Sequence, residues 1–229
     1  MTPLKFGILM IPYQTMDVAG PLDILSNASK QFLGSPNMKE LLQVEYDMEP
    51  EGKERESYIN IGDRGIDIEF LHIGFSMEPV ALTAGFSANP TTTVKECPPL
   101  DYLLVGGPDP ALQLHPEFAK FVKEHVAAGK GLFCTCTGAF AIATTGVLDG
   151  KKATTNHVVL PSAKKLFPKI HWVEEQWAID GNIWTAGGAC AGMDMFAEWV
   201  RKHCDADVAA VANRMLDFHP RGLDKKLIV

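Results

Sequence analysis

The sequence predicts an α/β fold in which a mostly parallel sheet is covered by helices on both faces. Three observations carry that expectation. Short apolar and β-branched runs alternate with longer stretches whose apolar residues recur at helical spacing. Glycines punctuate the ends of the strand-like runs, at Gly106-Gly107, Gly138 and Gly187-Gly188. No repeat with a period of roughly 20 to 50 residues and no low-complexity tract competes with this reading.

In chain order, Lys5 to Ile11 is a short apolar strand ended by Pro12. The pair Gly20-Pro21 follows, and its proline suits the first turn of a helix running through Leu22, Ile24 and Leu25. Beyond a polar and charged segment, Pro50 to Ser57, the stretches Ile66 to Ile73 and Pro79 to Thr83 have strand composition. The run from about Leu33 to Tyr58 gives no clear pattern. Asp101 to Val105 is a buried strand stopped by Gly106-Gly107-Pro108, and Leu114, Phe118, Phe121, Val122 and Val126 then mark a helix with Gly129 at its C-cap. Leu132 to Thr135 is again a strand. Gly138 to Leu148 is small and apolar with Gly146 near its end, as a helix packed closely on a sheet requires. Lys152 to Thr155 is extended, Ile183 to Thr185 is a strand, and Met193 to Val200 is a helix. Ligands of such sheets gather beyond the carboxyl ends of the strands, where Asp17, Gly106-Gly107, Cys136 and Gly187-Gly188 all fall.

Bulk properties narrow the class. The 229 residues, 46% hydrophobic and 21% charged, suffice for one core, so a single domain over 1–229 is expected. A formal charge of -7 without a local Lys/Arg cluster makes nucleic acid and anionic membranes poor partners. The apolar run Phe6 to Pro12 is too short to cross a bilayer and lacks the marks of a signal peptide, which points to a cytoplasmic protein. Five cysteines, an odd number, read as free thiols rather than as a disulfide framework.

Cys136, in Phe133-Cys134-Thr135-Cys136-Thr137-Gly138-Ala139, falls at a sharp turn between a strand and a helix. A thiol becomes a strong nucleophile when its proton is lost, and a helix N-terminus favours the thiolate. The small residues after it fit a helix that starts directly against the sheet. The backbone N–H groups of Thr137 and Gly107 are candidates for stabilising negative charge on a bound substrate. Position alone leaves two readings open for Cys136, a nucleophile and a buried small hydrophobe. Cys134, inside the strand, is expected to pack.

Asp17 can exchange a proton with the thiol or substrate, or simply cap a helix. Asp23 reads as a first-turn helix carboxylate. His157 is placed to act as the base of a Cys-His pair, or to be a surface histidine. The six other histidines have no ligand spacing, and the Cys-x-Cys pair lacks partners for a metal site. Gly187 to Gly192 matches neither a dinucleotide fingerprint nor a phosphate loop, so close packing explains it better.

Taken together, Met16-Asp17-Val18-Ala19-Gly20-Pro21, Leu103 to Gly107, Cys136-Thr137-Gly138-Ala139 and Thr185 to Asp194 resemble the ThiJ/PfpI superfamily, relatives of class I glutamine amidotransferases. Asp-x-x-Gly-Pro with Cys-Thr-Gly-Ala and Gly150-Lys151-Lys152-Ala153-Thr154-Thr155 is similar to its isonitrile hydratase branch and to the amidase-like domain of some transcription regulators. Those regulators carry a further DNA-binding domain, which is not expected here because the chain ends at Val229 soon after the last predicted helix.

The resemblance implies a flavodoxin-like three-layer sandwich with a nucleophile elbow, usually a homodimer, and a hydratase chemistry that needs no metal or organic cofactor. It makes Cys136 the nucleophile, Asp17 the proton-transfer group and Thr137 a supporting residue, with Gly106, Gly107 and His157 near the substrate. The product is an N-substituted formamide. A glyoxalase- or deglycase-type reaction on small aldehydes and a cysteine-based oxidative-stress sensor are the alternatives. Thr137 stands where the family's peptidases have His, which argues against proteolysis. Asn156 separates Thr155 from His157, whereas many relatives have His directly after Thr-Thr, so a role for His157 is open.

Overall fold

A computed structural model describes residues 2–48, 60–224 and 226–227. Its contacts group the chain into two compact units, one from residues 1–4, 21–68 and 196–229, the other from 5–20 and 69–195.

The larger unit is built on a seven-stranded sheet. From one edge, the order is β10 (Trp177–Asp180), β11 (Ile183–Ala186), β7 (Gly131–Thr135), β6 (Tyr102–Val105), β1 (Leu4–Leu9), β2 (Ile68–Gly74) and β5 (Thr92–Thr93). The pairs β1 with β6, β6 with β7, β7 with β11 and β2 with β5 are parallel, and the edge pair β10 with β11 is antiparallel. The sheet is thus mostly parallel and flanked by helices, the flavodoxin-like α/β arrangement that the alternation of elements predicts. All five residues of β7 are buried, as a central strand covered on both faces must be. Aromatic rings tie neighbouring strands together: Phe6 stacks on Tyr102 at 6.0 Å and on Phe133 at 5.9 Å, and Phe133 meets Trp184 at 5.8 Å.

Local chemistry moves several boundaries. The first helix, α1 (Met16–Asn27), begins five residues before Pro21, so the proline lies inside it instead of in its first turn, and Asp23 lies in mid-helix. Without an N–H, Pro21 cannot bond the carbonyl of Asp17 four residues back, and that oxygen instead accepts the Thr135 hydroxyl at 2.9 Å. The helix after the cysteine covers only Gly138–Ala143. The hydroxyls of Thr144 and Thr145 bond back to the carbonyls of Ala141 and Ile142, and Gly146 adopts φ 79°, which turns the chain away. The strand expected over Pro79 to Thr83 shrinks to β3 (Val80–Ala81), paired antiparallel with β4 (Ser87–Ala88) in a hairpin apart from the main sheet. The strand β8 (Lys152–Ala153) pairs with β9 (His171–Trp172) in a second small sheet.

The helix over Pro116–Ala127 matches its spacing, and Gly129 takes φ 74° after it. The last helix that the sequence marks runs Ala189–His203. The smaller unit adds helices at Lys30–Leu33, Pro36–Met48, Ile61–Arg64 and Ala206–Arg214. Arg64 bonds both Asp205, the N-cap of Ala206–Arg214, and Asp207 in its first turn. The polar segment Pro50 to Ser57 lies outside the described residues.

Candidate active site

The parallel strands β1, β6, β7 and β11 end at one edge of the sheet, and the four segments singled out in the sequence follow them there. The innermost is the turn at Cys136. Its φ of 54° is a left-handed value that a side chain other than glycine adopts only under constraint. Two donors hold the strained peptide: the Thr155 hydroxyl and the Asn156 N–H reach the Cys136 carbonyl at 2.9 and 3.1 Å. Helix Gly138–Ala143 then starts against the sheet, where a Cβ on Gly138 would stand 2.3 Å from the Val105 carbonyl oxygen. The turn is therefore a nucleophile elbow in geometry.

Asp17 is wholly buried beside it. Its Oδ2 accepts the Gly107 N–H at 3.1 Å, while Oδ1 has no hydrogen-bond partner. A Cβ on Gly107 would come within 2.6 Å of Asp17 Oδ2, 2.7 Å of Cys136 Cβ and 2.7 Å of the Thr137 nitrogen, so these groups enclose one small space. Gly106 is equally confined, since a Cβ there would lie 2.6 Å from Val18 Cγ2. The Thr137 hydroxyl donates to the Pro108 carbonyl at 2.5 Å and fixes the loop after Gly107 against the elbow.

Electrostatics at the pair run opposite to the helix-terminus expectation. Burial, followed by the Asp17 charge, pushes the Cys136 thiol above its ordinary value, although hydrogen bonds from Asn156 and the Thr137 N–H pull it down. Burial likewise pushes Asp17 up to about 6, against the lowering effect of the Gly107 N–H and the Cys136 side chain. At neutral pH the proton resides on sulfur, next to a carboxylate whose free oxygen can accept it. Cys134 is fully buried and its thiol raised further, consistent with packing.

Two expected contacts are replaced by others. The Gly107 N–H is already committed to Asp17 and is not open to a substrate oxyanion. His157 is exposed, and its Nε2 bonds the Glu175 carbonyl at 3.1 Å instead of the sulfur. The side chain on the sulfur is Asn156, whose Nδ2 donates to Cys136 Sγ at 3.3 Å. The sequence signal for it was that extra residue between Thr155 and the histidine, which moves His157 one place outward. Of the late glycines, Gly187 packs on His157, where a Cβ would lie 2.9 Å from Nε2, whereas Gly188 has open space around it. Among the described residues no cluster of three His, Cys, Asp or Glu side chains could hold a metal ion. Also among these residues, no helix is long and apolar enough to cross a membrane.

A mostly parallel α/β sheet carrying a strained cysteine turn at its carboxyl edge, with a buried acid at hand, defines a class of site. The chain belongs to the DJ-1/PfpI family, whose model matches residues 59–202. It is 25% identical over 224 residues to the isonitrile hydratase of Pseudomonas putida, covering 95% of this chain and 79% of that enzyme. It is 26% identical over 132 residues to the HTH-type transcriptional regulator GbdR of Pseudomonas aeruginosa, covering 57% of this chain and 36% of the regulator. A ThiJ/PfpI family protein from Pseudomonas syringae superposes with a TM-score of 0.72 at 22% identity, over 97% of this chain and 78% of the other. DJ-1 of Schizosaccharomyces pombe does so at 0.66 and 14%, over 94% of this chain and all of the other.

Proposed function

We propose that this protein is a cysteine-dependent hydratase that converts an isonitrile and water to an N-substituted formamide, with Cys136 as nucleophile and Asp17 as its proton partner. The observation that carries the proposal is the pairing of a buried thiol with a buried carboxylate that has one oxygen free. Isonitrile hydration needs both a proton and a nucleophile delivered to the same carbon. A site that keeps the proton beside the sulfur suits that demand better than one holding a permanent thiolate.

In the first half-reaction the thiol proton passes to Asp17 and from there to the isonitrile carbon, while a sulfur lone pair forms the C–S bond. The result is an S-linked thioformimidate, R–N=CH–S. Water then adds to this carbon, with one of its protons reaching nitrogen. Collapse of the adduct breaks the C–S bond, sulfur recovers a proton, and R–NH–CHO departs. Thr137 and the carbonyl clamp from Thr155 and Asn156 keep the sulfur in place through both halves. No step calls for a cofactor. The fold family and composition support a cytoplasmic homodimer as the working form.

Purified protein given an alkyl isonitrile is expected to release the formamide, and Cys136→Ala to release none. Absence of product from the wild type, or equal product from the variant, overturns the reading. Methylglyoxal offered in parallel separates the aldehyde alternative, since lactate formed without glutathione supports it. The sensor alternative needs an easily ionised thiol, which the burial of Cys136 opposes.

A further inference from the structure

We propose that Asn156 is a catalytic residue of this site: its carboxamide, held in one orientation, donates to the Cys136 sulfur and, together with the Thr137 N–H, receives the thiolate formed when the proton leaves for Asp17. The orientation is fixed from the far end. The Val158 N–H donates to Asn156 Oδ1 at 3.0 Å, so the amide oxygen is occupied and the NH2 end must face the sulfur, which it meets at 3.3 Å. The residue's own N–H is anchored to the Cys136 carbonyl at 3.1 Å, and the neighbouring Thr155 hydroxyl reaches the same carbonyl at 2.9 Å. One residue thus grips the elbow twice, once through its backbone and once through the reacting atom.

This arrangement answers a difficulty in the pair chemistry. Moving the proton from sulfur to Asp17 leaves an anion in a buried space, and an anion there is costly unless donors already point at it. The Thr137 N–H is one such donor. Asn156 supplies a second that carries no proton able to leave at neutral pH, so it cannot compete with Asp17 as acid or base. A histidine in its place could, and His157 is turned away to Glu175. The proton balance is simple: one proton leaves Sγ, one arrives at Asp17, and Asn156 keeps both of its own.

The inference rests on Cys136 being the nucleophile but not on the identity of the substrate, so it is tested without isonitrile. The rate of alkylation of Cys136 by iodoacetamide is followed across pH by the mass of the peptide containing it. Asn156→Ala is expected to move the midpoint up by about one pH unit, the effect of losing one hydrogen bond to a charged group. Asn156→Ser keeps an oxygen that can accept the Val158 N–H but is too short to reach the sulfur and adds no charge, and is expected to move the midpoint by the same amount. A residue that only shaped the 156–158 turn would leave Asn156→Ser at the wild-type midpoint. That result overturns the proposal, as does an unmoved midpoint in Asn156→Ala. Should the alanine variant melt at a lower temperature, the serine variant decides the matter. A shifted midpoint in a protein that yields no formamide sustains Asn156 and rejects the hydratase reading, so the two can fail separately.

Discussion

At Asp17 a carboxylate is kept away from water with one of its two oxygens unpaired, and the fold bears that cost whenever the group is charged. The sign follows from the raised native value of about 6. Below the ordinary carboxylate value Asp17 is neutral in folded and unfolded chains alike, and its contribution to stability is fully present. As pH rises towards about 6 the unfolded chain loses this proton first, and stability falls; above that the loss is complete, at roughly 3 kcal/mol. Asp17→Asn removes the titration. Urea unfolding at pH 4 and pH 7.5 is expected to show the variant gaining on the wild type by up to that amount, and a pH-independent difference between the two would contradict the buried charge. Cys136 could be read in the sequence because it stands directly after a strand end, and Asp17 because it opens the helix that follows the first strand, where position and chemistry coincide. Asn156 could not, because its role depends on which of two successive side chains turns inward after an extended segment. A single inserted position decides that, and neither composition nor periodicity registers it.

At the scale of elements, the elbow is a product of three segments that meet, and its glycines differ sharply in what they permit. Gly107 faces Asp17, Cys136 and Thr137 at under 3 Å from any added Cβ, and Gly138 faces the Val105 carbonyl oxygen at 2.3 Å. Gly188, from the equally conspicuous late pair, faces nothing within 4 Å. Gly107→Ala is therefore expected to fold but to displace the thiol from the acid, lowering kcat/KM by about 100-fold. Gly138→Ala pushes a helix off a strand and is expected to cost about 1–3 kcal/mol in denaturant unfolding. Gly188→Ala is expected to match the wild type in both measurements, and a loss there equal to that at Gly107 would reverse this assignment. The succession of the main strands and helices along the chain was legible because apolar runs and glycine stops agree in Asp101 to Gly107 and Leu132 to Gly138. Where hydroxyls and proline redirect backbone bonds, as at Thr144, Thr145 and Pro21, periodicity misplaced the boundaries. The antiparallel edge strand Trp177–Asp180 escaped notice although Gly181-Asn182, between it and Ile183–Ala186, is a two-residue hairpin signal.

For the molecule as a whole, the family contains both kinds of relative found here, an enzyme that acts on a small molecule and regulators named for an HTH. Charge separates the two expectations. A formal net charge of -7 repels the phosphate backbone, and contacts with DNA that do form draw most of their affinity from Lys and Arg displacing counterions. Several of the basic side chains are, moreover, engaged with acids: Lys130 with Asp101, Lys151 with Asp180, Lys152 with Glu175 and Arg201 with Glu198. The electrostatic attraction would be strongest at low ionic strength, which makes that the most demanding condition for a negative result. The protein mixed with a fluorescent duplex at about 50 mM salt is expected to leave its anisotropy unchanged over the concentrations at which a nonspecific binder saturates. A rise in anisotropy that fades steeply with added salt would show a basic surface that the sum of charges conceals, and would move the reading from the hydratase towards the regulators. An unchanged anisotropy together with formamide release places the function of this chain in the buried pair of Asp17 and Cys136.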